Sequence, residues 1–242
     1  MTAGSIIGGR GVVVVLPTKE ERTNLPRVLA GVRSMLPWAR VLVVDDQSND
    51  GTGILADEAA RMDARIRVLH RRGPPGLGPA YCAGFAEVLG WQDVARVVQM
   101  DADLSHRPGD LPRLLAASEH GLVLGSRYVD GGGVEGWAAH RRWLSRGGNT
   151  YARRVLPELS HLSDLTGGLK CWHPAALAAL DLSRIQSRGY AFQVEMTLAA
   201  VRAGVSVTEV AIRFPDRTAG ASKLDLRICG EAARALWRMR QP

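Results

Sequence analysis

Residues 94–103 read VARVVQMDAD, a short apolar run that stops at two carboxylates. Such a run has the look of a strand buried on both faces, and Asp101 and Asp103 stand just past its end. Two carboxylates two residues apart can bind one hard cation directly or through water, and Mg²⁺ favours one or two such groups completed by phosphate oxygens. An Asp-x-Asp alone occurs in many surface turns. Its place behind Val97-Val98-Gln99-Met100 makes Asp101-Ala102-Asp103 a candidate metal site.

Upstream, the same strand-then-polar-turn unit recurs. Residues 12–16 (VVVVL) and 41–44 (VLVV) read as buried strands, 66–69 as a third, and 122–124, downstream, as a fifth. Between them, 25–36 has a helical pattern with Pro26 in its first turn, Asp50 is placed to cap a helix running to about Arg61, and Pro79 opens another helix after a glycine–proline loop at 73–78. Strands alternating with helices predict an α/β fold with a mostly parallel sheet, whose ligands bind beyond the carboxyl ends of the strands. The acidic residues gather there: Glu20 and Glu21, Asp45 and Asp46, Asp101 and Asp103. The loop Gly76-Leu77-Gly78-Pro79-Ala80 is neither a P-loop nor a dinucleotide fingerprint, because no Gly-Lys-Ser/Thr follows it and it does not come directly after the first strand.

Downstream the pattern loosens. Gly131–Gly133 and Gly147-Gly148 read as loops, 205–214 alternates as a strand does, and 225–239 reads as a terminal helix. Gln193 and Glu195 fall at a helix start, either in a buried polar network or against substrate; Asp164 caps a turn or faces a ligand; His106 shapes its loop. Trp137, Trp143 and Trp172 read as core or membrane-facing packing.

With 242 residues, 46% hydrophobic and 23% charged, the chain is expected to form one globular domain, which excludes disorder and low complexity. Three scattered cysteines (Cys82, Cys171, Cys229) build neither a zinc site nor a disulfide framework, which fits a reducing cytosol. A net charge of +7 favours phosphates and anionic lipid heads, but no zinc finger, helix-turn-helix or RNA-binding motif accompanies it, so nucleic acid is not an expected partner. No leader and no membrane-spanning run is expected.

Nine segments in order carry a resemblance: LPTKEERTNLP (16–26), VVDDQSNDGT (43–52), GLGPAYCAGF (76–85), QMDADLSHRP (99–108), GSRYVDGGGVEGW (125–137), LSRGGNTYAR (144–153), SDLTGGLKCW (163–172), GYAFQVEM (189–196) and EVAIRFPDRTAGASKL (209–224). The chain resembles family-2 glycosyltransferases of the GT-A fold, and among them the dolichyl- or polyprenyl-phosphate mannose synthases. The resemblance implies a GT-A domain over residues 12–224, with an N-terminal extension (1–11) and an amphipathic C-terminal helix (225–242). It places Pro17, Glu21, Val44 and Asp46 around the guanosine of GDP-mannose, with Asp101 and Ala102 also lining the nucleotide. Asp103 corresponds to the principal ligand of a divalent metal, Mg²⁺ or Mn²⁺, with Asp101 and Ser105 beside it. Arg127, Arg217 and Lys223 correspond to the basic groups around the phosphates, and Arg146 to a contact for the lipid phosphate. One position departs from the pattern: Lys19 stands where the family has an aromatic beside the base, and it is placed to reach a phosphate or pair with Glu20.

The implied reaction moves mannose from GDP-mannose to a polyprenyl phosphate with inversion. The alternatives are a polyprenyl-phosphate glucosyl- or aminoarabinosyltransferase of the same fold, or a catalytically silent sugar-nucleotide-binding module. The implied location is the cytoplasmic face of a membrane. The chain would be held there peripherally by the tail, by Arg141, Arg142 and Arg146, or by a membrane-anchoring partner protein.

Overall fold

The computed structural model describes residues 6, 8–189, 191–216 and 226–240. Strand β1 (Val12–Thr18) is buried along its whole length, which is why its sequence shows no polar alternation. Its even-numbered residues Val12, Val14 and Leu16 pack on one side, against Leu25, Val28 and Val32 of α1 (Leu25–Met35). Val13 and Val15 pack on the other, against Ala80, Tyr81, Phe85 and Val88 of α3 (Leu77–Leu89). Between these helices in sequence lie β2 (Arg40–Asp45), α2 (Thr52–Met62) and β3 (Ile66–His70). The chain continues through β4 (Arg96–Gln99), α4 (Leu111–Ala117) and β5 (Leu122–Ser126).

Then come β6 (Gly133–Val134), α5 (Ala139–Val155), β7 (Lys170–Trp172), α6 (Pro174–Ala178), α7 (Ala191–Arg202), β8 (Val207–Ala211), β9 (Arg213–Phe214) and α8 (Leu226–Met239). Among the described residues, seven strands form one sheet in the order β3-β2-β1-β4-β7-β5-β8, and β6 pairs with β9 beside it. Every pairing in the large sheet is parallel except those of β7, which runs antiparallel between β4 and β5. The expected mostly parallel sheet flanked by helices is therefore present.

Four details differ from expectation. Gly147-Gly148 lie inside α5 rather than in a loop; an added Cβ would meet nothing there, and Asn149, Ala152 and Val155 anchor the helix, outweighing the roughly 1 kcal/mol each glycine costs. Residues 205–214 are not one strand: the chain leaves the large sheet after Ala211 and pairs again as β9. Gly51, not Asp50, holds the cap position of α2 with φ 91°, and Asp50 accepts the Thr52 N–H at 2.9 Å from one residue upstream. Strand β7 was not foreseen, since three residues are too few to show a period.

Helix α3 lies close on the sheet because position 84 has no side chain. A Cβ there would sit 2.6 Å from Val15 Cγ1 and 2.9 Å from Val44 Cγ2. Gly84→Ala is expected to lower stability by about 1–3 kcal/mol through overpacking. The urea midpoint should fall while the slope of the transition stays the same.

Candidate active site

The carboxyl ends of β1, β2 and β4 bring the acidic residues to one edge. Register places Pro17 opposite Val44 and Thr18 opposite Asp45, so the nucleoside candidates Pro17 and Val44 are neighbours. The loops that follow β1 and β2 are laced together. The Glu21 N–H donates to Thr52 Oγ1 at 2.9 Å, the Asn49 N–H to Glu20 Oε1 at 2.9 Å, and Lys19 Nζ to the Gln47 carbonyl. Lys19 also lies 3.9 Å from Glu20, one of the two roles open to it. Glu21 accepts from Asn24 at 2.8 Å. Buried Asp46 accepts from Arg71 Nε and from the Gly76 N–H, each at 2.8 Å, which ties the β2 end to the loop before α3. Glu20, Gln47 and Leu104, all in loops at this edge, hold left-handed backbone with φ of 60°, 62° and 64°. Such conformations cost about 1 kcal/mol or more and cluster where structure serves a site.

The Asp101–Asp103 loop is held from three directions. The Tyr81 hydroxyl donates to Asp101 Oδ1 at 2.7 Å, and the Asp101 N–H donates to His106 Nδ1 at 3.0 Å, so His106 does shape the loop. Asp103 Oδ1 accepts from the N–H of Ser105 at 3.0 Å and from its hydroxyl, so Ser105 orients the carboxylate. Ala102 is buried beneath. Burial, with the charge and hydrogen bond of Asp101, pushes the Tyr81 phenol well above its ordinary pKa.

These residues suit a hard divalent cation. Among the described residues no three His, Cys, Asp or Glu side chains converge to cage a metal unaided. A cation at Asp103 and Asp101 would therefore draw its other ligands from phosphate or water, the usual Mg²⁺ habit.

Beyond β5, Arg127 is buried and held in an ion pair through Nε and Nη2. Its Nε and Nη2 donate to the two oxygens of Asp164 at 2.6 and 2.7 Å, its N–H donates to Asp164 Oδ2 at 2.9 Å, and Nη2 reaches Thr166 Oγ1 at 2.8 Å. The rings of Phe214, Tyr128 and Trp137 surround the guanidinium at 5.2, 5.4 and 5.6 Å. Burial would lower the Arg127 pKa and raise that of Asp164; their mutual charge and hydrogen bonds outweigh it in both, so arginine is shifted up and aspartate down. Glu209 fixes the loop below by accepting the N–H groups of Ser163 and Asp164 at 2.7 and 2.9 Å.

A cavity of about 400 Å³ joins Arg127 to Arg146, Asn149 and Arg153. The sequence candidates Arg127 and Arg146 therefore share one basic recess, and Arg146 lies over the Tyr128 ring at 5.8 Å. Arg217 and Lys223 lie outside the described residues.

Several neighbours escaped sequence reading. Nothing in the sequence singles out Tyr81 or Arg71. Arg141 lies 3.9 Å over Trp137 and pairs with Asp216. Lys170 is buried in β7. Asp164 had carried a signal, as a turn cap or ligand-facing residue, and Arg141 one of a different kind, as a membrane contact. Of the two readings open at Gln193, the buried polar network is present: Gln99 Nε2 donates to Gln193 Oε1 at 2.6 Å.

Comparison with known proteins bears on this arrangement. Residues 13–169 match the model of glycosyl transferase family 2. The chain is 45% identical over 215 residues to the polyprenol monophosphomannose synthase of Mycolicibacterium smegmatis, covering 88% of this chain and 80% of the relative. It is 45% identical over 224 residues to the undecaprenyl-phosphate mannosyltransferase of Micrococcus luteus, covering 91% and 90%. Among solved structures, glucosyl-3-phosphoglycerate synthase of Mycobacterium tuberculosis superposes with a TM-score of 0.68 at 19% identity, over 99% of this chain and 84% of that one; it was crystallised with Mn²⁺, UDP and glucosyl-3-phosphoglycerate. The same enzyme with Mg²⁺ and UDP gives a TM-score of 0.69 at 19% identity, over 99% and 83%. These likenesses show the fold, the GT-A architecture.

The Arg127–Asp164 pair yields a pH-dependent expectation. A carboxyl held below its unfolded value of about 3.9 adds stability that is full above that pH and lost as pH falls through the folded value. Asp164→Asn is expected to cost about 3–5 kcal/mol at pH 7 by stranding a buried guanidinium. In urea titrations, the gap between wild type and variant should narrow as pH falls below about 4. A gap that does not vary with pH would mean the charge of the pair is not its source.

Proposed function

The chain belongs to glycosyl transferase family 2, and from that membership we propose that it transfers mannose from GDP-mannose to a polyprenyl phosphate, inverting the anomeric carbon. The observation that carries this reading is 45% identity, over about nine-tenths of the chain, to two relatives named for that acceptor and sugar. An α-linked donor attacked in line yields a β-linked lipid product.

A lipid phosphate is already anionic, so its oxygen attacks without a strong general base. The harder tasks are bringing two anions together and stabilising the departing diphosphate. Asp103, with Asp101 and Ser105 beside it, would hold a divalent metal, Mg²⁺ or Mn²⁺. Bound there, the ion supplies Lewis-acid neutralisation of the leaving diphosphate. Pro17, Val44, Ala102, Glu21 and Asp46 would line the nucleoside. The guanidinium of Arg127, aligned by Asp164, presents fixed positive charge to the phosphates, and Arg217 and Lys223 are assigned the same task. Arg146 would meet the lipid phosphate in the recess it shares with Arg127.

Among the described residues no helix is long and apolar enough to cross a membrane. The lipid acceptor then calls for peripheral attachment at the cytoplasmic face. Attachment would come through α8, through Arg142 and Arg146 of α5, or through an anchoring partner protein; Arg141, expected to join them, is taken up by Asp216 and the Trp137 ring. Exposed Trp143 and Trp237 on these two helices support the first two routes.

Lys19 favours one second reading, a different donor base or sugar such as a glucosyl or aminoarabinosyl donor, because the aromatic expected beside the base is absent.

The test is transfer of labelled mannose from GDP-mannose to a short polyprenyl phosphate, counted in the organic phase. Label should require Mg²⁺ or Mn²⁺, vanish with chelator, and fall roughly 100-fold or more in Asp103→Ala. Label from UDP-glucose but not GDP-mannose would move the donor. No label from any donor, with membranes added, would overturn the enzymatic reading.

A further inference from the structure

The catalytic reading gives Lys19 no task, although it stands among the nucleoside candidates Pro17, Glu21 and Asp46. Its ammonium donates to the Gln47 carbonyl and lies 3.9 Å from Glu20 Oε1. Both partners hold left-handed backbone, with φ of 62° and 60°. A residue other than glycine keeps that conformation only where its surroundings hold it there. For Glu20, the N–H donates to Ser48 Oγ at 3.1 Å and Oε1 accepts the Asn49 N–H at 2.9 Å. For Gln47, Nε2 donates to the Gly73 carbonyl at 2.7 Å. Lys19 is therefore the crosspiece of a rim. It joins the loop after β1 to the loop after β2, and Gln47 carries the tie on to the loop after β3.

The rim meets the end of β2. Gln47 directly follows Asp46, whose carboxylate accepts from Arg71 Nε and from the Gly76 N–H, each at 2.8 Å. The loop that Lys19 pins is thus the one that carries Asp46. The tie contributes little to the stability of the fold. The Lys19 and Glu20 side chains are 41% and 43% exposed, and contacts between charges so open to water are weak. What an exposed tie can do is local. A loop that must be ordered on binding subtracts that cost from affinity, and a loop already ordered does not. An aromatic side chain at position 19 could stack on a base, but it has no ammonium to span Gln47 and Glu20.

We propose that Lys19 is a positioning residue for the sugar nucleotide, fastening the loops after β1 and β2 in the arrangement that receives the nucleoside before any ligand is present. This rests on the reading of this edge as the donor's nucleoside site. Position 19 then supplies order in place of a stacked ring, and the base is held by the groups that the loops present, Asp46 among them. The tie is made wholly within the protein, so it serves guanosine and uridine donors alike.

The test measures binding, turnover and loop opening in Lys19→Met and Lys19→Arg. Calorimetric titration of wild type with GDP and with UDP, in Mg²⁺, identifies the nucleotide it takes. For that nucleotide the Kd of Lys19→Met should rise roughly fivefold or more, with a matching rise in donor KM and a smaller change in kcat. The thermal midpoint should stay at the wild-type value, because the tie is exposed. Lys19→Arg, which keeps a cationic donor at that place, should recover most of the affinity. Hydrogen exchange of the amides at 46–52 should be faster in ligand-free Lys19→Met than in wild type. A Lys19→Met protein whose Kd is within about twofold of wild type overturns the inference. So does weaker binding with unaltered exchange, which would make Lys19 a direct contact of the nucleotide. Loss of affinity that merely tracks a lowered thermal midpoint, or Lys19→Arg as weak as Lys19→Met, overturns it too. A wild-type chain that binds neither nucleotide overturns the reading of the site and this inference with it, whereas a binding wild type beside an equally binding Lys19→Met overturns only the role of Lys19.

Discussion

Strand β7 enters the sheet against the direction of β4 and β5, and the geometry of the acidic edge hangs on that insertion. Parallel strands deliver their carboxyl ends to one side, so β1, β2, β4 and β5 alone would present four separate loops there. An antiparallel strand between β4 and β5 begins where they end. Its leading loop, residues 163–169, must therefore rise through the site itself. Two consecutive glycines make the passage possible, since a side chain at Gly168 would collide with Asp101. The same loop carries Asp164 to Arg127, across 37 positions of sequence.

That constraint concentrates charge. Asp164, Arg127 and Lys170 are all nearly excluded from water, and Asp46 and Ser105 are buried beside the loops they serve. Such charges are tolerated only when paired or densely hydrogen-bonded. The Arg127–Asp164 pair meets this with a bidentate contact, a backbone donor and three surrounding rings. A guanidinium held so firmly is fixed in place before any ligand arrives. The edge thus carries carboxylates on one flank and a buried, ion-paired arginine on the other.

Much of the fold was legible because burial on both faces writes itself into composition. The runs 12–16 and 41–44 contain no polar residue, and every residue of both runs is buried. Helices α1 and α3 announce themselves through proline near their starts, and α2 through the polar turn before it. The second half was harder to read. Its helix α5 contains two adjacent glycines and many arginines, and it persists because tertiary contacts of Asn149, Ala152 and Val155 override propensity. The run through 205–214 looks continuous, yet the chain changes sheets at Ile212, whose N–H bonds the Ser126 carbonyl at 2.9 Å.

The candidate site divides along the same line. Local spacing is enough to put Asp101 and Asp103 at a strand end and Asp46 at another, because period and turn chemistry act over a few residues. Family resemblance adds Arg127, Arg146 and the nucleoside residues. What no stretch of sequence contains is partnership: Asp164 with Arg127, Tyr81 with Asp101, Arg71 with Asp46, Lys170 with α7. Each joins segments separated by 20 to 37 positions. Such pairs exist only once strand register is set, and register comes from burying both faces of the whole sheet at once rather than from the residues that meet.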